Sequence, residues 1–270
     1  MEKSISKIHN IHFEYYTNDL MAKNSIGKQK EWEPHITKFV KLFNKFYHIQ
    51  NIVDIGANFG YHTIFFSKEV EYSVYAFEPQ IQNFELLQNN IKNNNIKNVI
   101  LYNFACGDDN CFIYMPIIQF EKNKLVNMGD FTPQIVGHNN NTIKTITLDQ
   151  IIFMHSIDVI KIDVQGWEKK VLLGAKKLIE TYKPVLIVEF EYFQLKKTNT
   201  TCEELFHLIR EYNYYIFYLE YEYPSDHICV HNDNLDHFRN NFKEYIFPHT
   251  DNNNINNNIK HNVVEKIVMQ

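Results

Sequence analysis

The segment Val53-Asp54-Ile55-Gly56-Ala57-Asn58-Phe59-Gly60 constrains this chain more than any other. An apolar run, Ile52, Val53 and Ile55, contains one carboxylate and ends at a glycine. A second glycine follows four residues later, and then a helix-like stretch from Tyr61. That order reads as strand, tight turn, helix. Glycine carries no Cβ, so the backbone can turn sharply there and approach a ligand closely. The helix behind the turn aims its unpaired N–H groups at the same spot. Tight packing of strand on helix asks for similar glycines, so the turn must be weighed with the rest of the chain.

The pattern repeats downstream. Strands are expected at 51–55, 73–77, 99–104, 159–162 and 185–188, with helices at about 61–68, 80–93, 168–181 and 201–212. Thr201 and Glu204 stand at capping-box spacing. Alternating β and α units of this length imply a parallel sheet with helices on both faces. Two closing strands, 214–219 and 227–231, flank turn residues and suggest an antiparallel pair. Ahead of the alternation, Pro34 opens a helix whose Ile36, Phe39, Val40, Phe43 and Phe46 form an apolar stripe.

The expected organisation is an N-terminal helical cap over 1–48 and a main domain over 49–233. The main domain carries a β-rich insertion at about 111–148, with an irregular piece at 121–141. An Asn-rich, partly disordered extension covers 234–270, including the tract 252–258. A loop as long as the insertion in a compact domain points to function, and it should share acceptor selection with residues 1–30. Frequent Asn reads as compositional bias.

Of the 270 residues, 44% are hydrophobic, ample for a full core. The net charge of −5 and the lack of a long basic run disfavour non-specific nucleic-acid binding. Cys106, Cys111, Cys202 and Cys229 form no C-x-x-C pair, which argues against a zinc site and for reduced thiols. The polar start has no apolar leader and no run reaches the length of a membrane span, so a cytoplasmic protein is expected. Composition is silent on oligomeric state.

The strand ends carry the chemistry. Asp54, Glu78, Asp108, Asp163 and Glu189 close five successive strands, on the edge where open α/β sheets bind ligands. A dinucleotide site also combines a glycine turn with an acid further on, the place of Glu78, and a dinucleotide-binding oxidoreductase is one alternative. The turn here lacks the G-x-G-x-x-G fingerprint, and Asp54 would sit poorly beside a diphosphate. It suits an ammonium with a sulfonium nearby, which describes S-adenosyl-L-methionine. A non-catalytic module keeping the cofactor fold is the other alternative.

Four segments in this order resemble the FkbM-type S-adenosylmethionine-dependent methyltransferases: D-I-G-A-N-F-G-Y-H-T, A-F-E-P, I-K-I-D-V-Q-G-W-E with V-L-L-G-A after it, and P-V-L-I-V-E-F. The resemblance spans about 32–218. It implies an α/β class I methyltransferase (Rossmann-like) fold: a mostly parallel seven-stranded sheet with an antiparallel edge and helices on both faces. It also implies methylation, most often of a hydroxyl on a sugar, glycan or other small molecule. Carried over by position, Asp54, Gly56, Asn58 and Gly60 form the cofactor loop. Thr63 faces the methionine end, Glu78 takes the ribose and Asp108 lies on the adenine side. Gln165 and Trp167 depart from the family pattern, which has an acid where Gln165 stands.

On the acceptor side, Asp163 is expected to act as base or to orient the hydroxyl, with Glu168 and Glu189 binding acceptor hydroxyls. Lys161 shares a strand face with Asp163 and tunes its charge. His62 follows the glycine loop closely, whereas His138, His155, His227 and His231 lack ligand spacing. Asp163, Glu168 and Glu189 are oxygen ligands of the kind hard cations accept, but no metal is assigned.

Overall fold

The computed structural model describes residues 2–115, 117–118, 124–130, 132–135, 142–220, 226–248, 263 and 265–269. The expectations for His138, for the turn residues 222–225, for the Asn-rich tract 252–258 and for much of 119–141 lie outside them.

The chain opens with a hairpin of β1 (Lys3–Ile8) and β2 (Ile11–Tyr16), paired antiparallel with Ile8 opposite Ile11. Helices α1 (Leu20–Asn24) and α2 (Pro34–Tyr47) follow. The segment expected to be a helical cap therefore begins as β-structure. His9 and Asn10 close the hairpin in left-handed conformations, φ 48° and 65°, a two-residue turn that polar composition alone does not reveal.

The alternating part begins at β3 (Asn51–Ile55) and continues with α3 (Tyr61–Phe66), β4 (Ser73–Phe77), α4 (Ile81–Asn93) and β5 (Val99–Tyr102). A small separate sheet follows, built from β6 (Ala105–Cys106), β7 (Phe112–Tyr114), β8 (Gln134–Ile135) and β9 (Thr142–Ile146) in the order β6-β9-β7-β8. The alternation resumes with β10 (Val159–Ile162), α5 (Glu168–Leu173), α6 (Lys176–Tyr182), β11 (Val185–Glu189), α7 (Tyr192–Lys197) and α8 (Cys202–Glu211). Next come β12 (Tyr214–Glu220), β13 (Asp226–His231), α9 (Leu235–Phe242), β14 (Ile246–Pro248) and β15 (Glu265–Val268).

One expected helix is broken into α5 and α6. The break falls at Gly174, which packs so tightly on Gly107 that a Cβ would lie 1.8 Å from the Gly107 carbonyl oxygen. The capping box of Thr201 and Glu204 at α8 forms as expected.

Nine described strands make the main sheet, in the order β14-β15-β12-β13-β11-β10-β3-β4-β5. Seven of them, from β12 to β5, are the expected class I methyltransferase sheet. The other two come from the C-terminal extension, with β15 docked parallel on β12. The run β11-β10-β3-β4-β5 is parallel, and β13 enters antiparallel between β11 and β12. Strand order reverses at β3, placing a crevice beyond the carboxyl ends of β3 and β10.

Both faces of this sheet are covered, which is why its strands read as continuous apolar runs. Ile52, Val74, Val159 and Ile187 pack with Ile36, Phe39, Val40 and Phe43 of α2 and with Phe238 and Phe242 of α9. Val53, Tyr75, Ile160 and Leu186 face the opposite way, toward Val171, Ile179 and Ile209 of α5, α6 and α8. Each fully buried side chain of this kind contributes on the order of 1.5–3 kcal/mol.

Candidate active site

The crevice is the mouth of a cavity of about 640 Å³. The carboxyl edge of the sheet forms its floor and residues from 19–35 and 127–133 form much of its roof. That volume falls within the range of ligand sites.

The glycine turn forms one wall. Gly56 and Ala57 both donate their N–H to the Phe77 carbonyl, at 2.9 and 3.0 Å, tying the turn to the end of β4. Gly56 has φ +83°, and a Cβ there would fall 1.8 Å from the Asp163 carbonyl oxygen. Gly60, φ +92°, precedes α3, and its Cβ would meet Leu87 Cδ1 at 2.5 Å. Gly60 is therefore a packing glycine, whereas Gly56 lines the cavity together with Ala57, Asn58 and Phe59. Asn58 is itself left-handed, φ 52°. Asn90 on α4 fixes the loop from outside by donating to the Phe59 carbonyl at 2.9 Å and the Glu14 carbonyl at 3.0 Å. This Asn has a specific task that a reading of compositional bias missed.

Asp54 lies fully buried behind the loop, and the cavity wall begins at Ile55. Its Oδ2 accepts from Thr63 Oγ1 at 2.5 Å, and its Oδ1 has no hydrogen-bond partner among the described residues. Thr63 does not line the cavity; it holds Asp54. An unpartnered buried carboxylate oxygen beside a backbone cradle is a site prepared for a donor. Glu78 does line the cavity. Its oxygens accept from the Asn58 and Gln80 N–H groups, each at 2.8 Å. Burial raises its carboxyl to about 7 against the pull of those two bonds.

Asp108 is placed elsewhere. It is exposed, pairs with Lys170 Nζ at 3.0–3.1 Å, and is not part of the wall. The chain turns outward after β6, so the acid at that strand end serves a surface ion pair. The wall on that side is formed by Phe104, Ala105 and Cys106 with Gln80 and Asn83.

The opposite wall carries Lys161, Asp163, Gln165 and Glu189. Lys161 is buried, with its Cα in register with Asp54 across β10 and β3, and its Nζ lies 3.2 Å from Asp163 Oδ2. Burial opposes the Lys161 charge, but Asp163, Asp54, Glu33 and Asp226 together raise its proton affinity and keep it cationic. Burial works to raise Asp163 as well. Lys161 and the hydrogen bonds from Gln165, Glu189 and Lys161 outweigh it and hold Asp163 below the ordinary carboxylate range. Glu189 is pushed well above that range by burial and by the charge of Asp163.

Glu168 does not reach the cavity. Its Oε1 accepts from the Val164 and Gly166 N–H groups, both at 3.1 Å, so it staples the 163–168 loop from beneath. Burial lifts its carboxyl to about 7. The expected contact with acceptor hydroxyls is thereby corrected: the carboxyl faces its own loop. Trp167 lines the cavity with its Nε1 donating to the Pro133 carbonyl at 3.1 Å.

Two histidine pairs were not foreseen. His35 Nε2 lies 2.7 Å from Asp226 Oδ2, and His62 Nε2 lies 2.8 Å from Glu33 Oε2. Both tie the start of α2 over the sheet edge. Their partners are 191 and 29 residues apart in sequence, so spacing gave no signal. Among the described residues no group of three or more His, Cys, Asp or Glu side chains is arranged to hold a metal. No helix of the described residues is long and apolar enough to cross a membrane.

The sequence profile of the methyltransferase FkbM domain matches residues 54–216, more than half the chain. No curated protein matches the sequence. Among solved structures, the chain is similar to a methyltransferase FkbM from Methylobacillus flagellatus KT, at 19% identity and TM-score 0.48 over 68% of this chain and 44% of that one. It is also similar to the tRNA (uracil-54, C5)-methyltransferase of Pyrococcus abyssi in complex with S-adenosyl-L-homocysteine, at 12% identity and TM-score 0.44 over 85% and 44%. An rRNA methylase from Streptococcus thermophilus matches at 13% identity and TM-score 0.42 over 71% and 91%. The chain spans less than half the length of the Methylobacillus and Pyrococcus proteins.

The matched stretch begins at Asp54 and includes the glycine turn, Glu78 and the Lys161–Glu168 segment. The turn at Gly56 and the acid at Glu78 both line the cavity and fit the amino-acid and ribose ends of an S-adenosyl nucleoside, whereas Asp54, expected in the same cradle, is buried behind the turn and does not reach the wall. The chain belongs to the FkbM methyltransferase family, with a class I methyltransferase fold and S-adenosyl-L-methionine as its cofactor.

Proposed function

We propose that this methyltransferase acts on a hydroxyl of a sugar, glycan or similar small molecule. The observation that carries the reading is the wall facing the glycine turn. There Asp163 is held as an anion by Lys161 and Gln165, next to Gly56. Such a carboxylate accepts a hydrogen bond from an acceptor hydroxyl and directs its oxygen lone pair. Bound S-adenosyl-L-methionine supplies a methyl group already activated by sulfonium. Asp163 then orients the attacking oxygen and takes its proton late, while Lys161 acts as a positioning residue. Trp32, Tyr61, Phe104 and Phe193 in the wall offer apolar faces for a sugar ring.

The charge of the wall supports a small acceptor over a polyanion. Its described residues include eight carboxyl side chains and two lysines, Lys30 and Lys161. A phosphate backbone would meet repulsion there. Residues 19–35 contribute Met21, Trp32, Glu33 and His35 to the roof, which supports an N-terminal cap over 1–48 that selects the acceptor for a catalytic domain over 49–233.

The test is transfer of labelled methyl from S-adenosyl-L-methionine to oligosaccharides and hydroxylated metabolites. Label in an alkali-stable ether is the expected product. Label released as methanol by alkali, or recovered only in RNA, contradicts the reading.

A further inference from the structure

Gln165 joins two carboxyl groups. Its backbone is left-handed, φ +56°, and Gly166 after it has φ +99°. Gly166 packs against α7 so closely that a Cβ would fall 2.3 Å from the Gln194 carbonyl oxygen. The turn is thereby fixed, and it delivers the Gln165 amide between β10 and β11. Gln165 Nε2 donates to Asp163 Oδ1 at 3.0 Å and to Glu189 Oε2 at 3.3 Å. Both N–H bonds of that nitrogen are used. On its other oxygen Asp163 meets Lys161 Nζ at 3.2 Å.

Two carboxyl groups bridged by one nitrogen are not both ionised without a large cost. Among the described residues the lysine at the pair is Lys161, and it sits on Asp163, which decides where the charge resides. We propose that Gln165 is a positioning residue that clamps Asp163 and Glu189 into a pair holding one proton, with the anion fixed on Asp163. The proposal rests on the reading of Asp163 as the group that meets the acceptor. A neutral amide suits the task because it supplies two donors and never titrates. A carboxylate in its place would add a third acid to a wall already rich in them.

The charged surroundings act in the same sense. Asp54 on β3, Glu78 just after β4, Glu168 on α5, Glu33 ahead of α2 and Asp226 on β13 all add negative potential. His62 and His35 pair with Glu33 and Asp226, and among the described residues Lys161 is the basic side chain in contact with Asp163. Burial and the neighbouring Asp163 push Glu189 well up, while Lys161 and the amide hold Asp163 down against its own burial.

The test is a carboxyl-carbon NMR titration of protein labelled in Asp and Glu, with Asp163→Asn and Glu189→Gln supplying assignments. In the wild type, Asp163 should titrate below the ordinary range and Glu189 well above it. Gln165→Met should raise the Asp163 midpoint by about one pH unit, a tenfold change in proton affinity. Asp163→Asn, with Gln165 in place, should lower the Glu189 midpoint by at least a similar amount. Two independent titrations in the ordinary range, or midpoints that neither variant moves, overturn the clamp. S-adenosyl-L-homocysteine binding by the same samples separates the two claims. Its loss in Gln165→Met alone marks a disrupted fold, and the Asp163→Asn titration then decides the clamp. Its absence in the folded wild type overturns the methyltransferase reading and leaves the titration to judge the clamp.

Discussion

Gly56 lies directly against the backbone of Asp163, with room for a hydrogen and none for a methyl: a Cβ on Gly56 would stand 1.8 Å from the Asp163 carbonyl oxygen. The glycine turn and the wall that carries Asp163 are thus one packed unit. Any side chain at Gly56 must push the ends of β3 and β10 apart at the cavity wall. Gly56→Ala should combine a left-handed backbone penalty of about 1 kcal/mol with overpacking of about 1–3 kcal/mol. The expected loss is roughly 2–4 kcal/mol in urea unfolding, with cofactor binding abolished. A variant of wild-type stability that still binds would show that the turn has slack.

Glu168 gives a prediction in pH. Its carboxyl sits at about 7 in the fold, against an ordinary 4.5, because burial raises it. Between those values the folded protein holds a proton that the unfolded chain has released. The stabilisation is therefore complete below about 4.5 and is lost as pH rises through 7. Two and a half pH units correspond to about 3 kcal/mol. Glu168→Gln retains an oxygen for the Val164 and Gly166 N–H groups and cannot ionise. Its melting temperature should fall less than the wild type's between pH 5 and 8, making the variant the more stable protein at pH 8. Parallel curves would contradict the assignment.

Lys161 is a cation buried among carboxylates, and removing one partner of such a group strands the others. Lys161→Met should cost about 3–5 kcal/mol in chemical unfolding. Adding Asp163→Asn to it should restore a measurable part, because one uncompensated charge is then gone. A double variant no more stable than Lys161→Met would show that Asp163 is not the partner that matters.

The strand positions were legible in the sequence because β3, β4 and β10 are buried on both faces and read as short apolar runs between turns. Gly56 and Glu78 were legible because a glycine turn and a strand-end acid make local patterns. Local pattern failed where the role depended on direction. Glu168 and Asp108 sit at the expected places in sequence, but one carboxyl points under its loop and the other out to Lys170. The pairs His35–Asp226 and His62–Glu33 form only when α2 folds over the sheet edge. Gln165 read as the loss of an acid, and only the bridging geometry shows an amide with two partners.

The most direct measurement is isothermal titration of the folded protein with S-adenosyl-L-homocysteine. The account predicts saturable binding at one site per chain. It also predicts that Glu78→Gln, checked for an intact melt, weakens the binding at least about tenfold through loss of charged hydrogen bonds to the ribose hydroxyls. A folded wild-type protein that gives no heat at high micromolar ligand would contradict it.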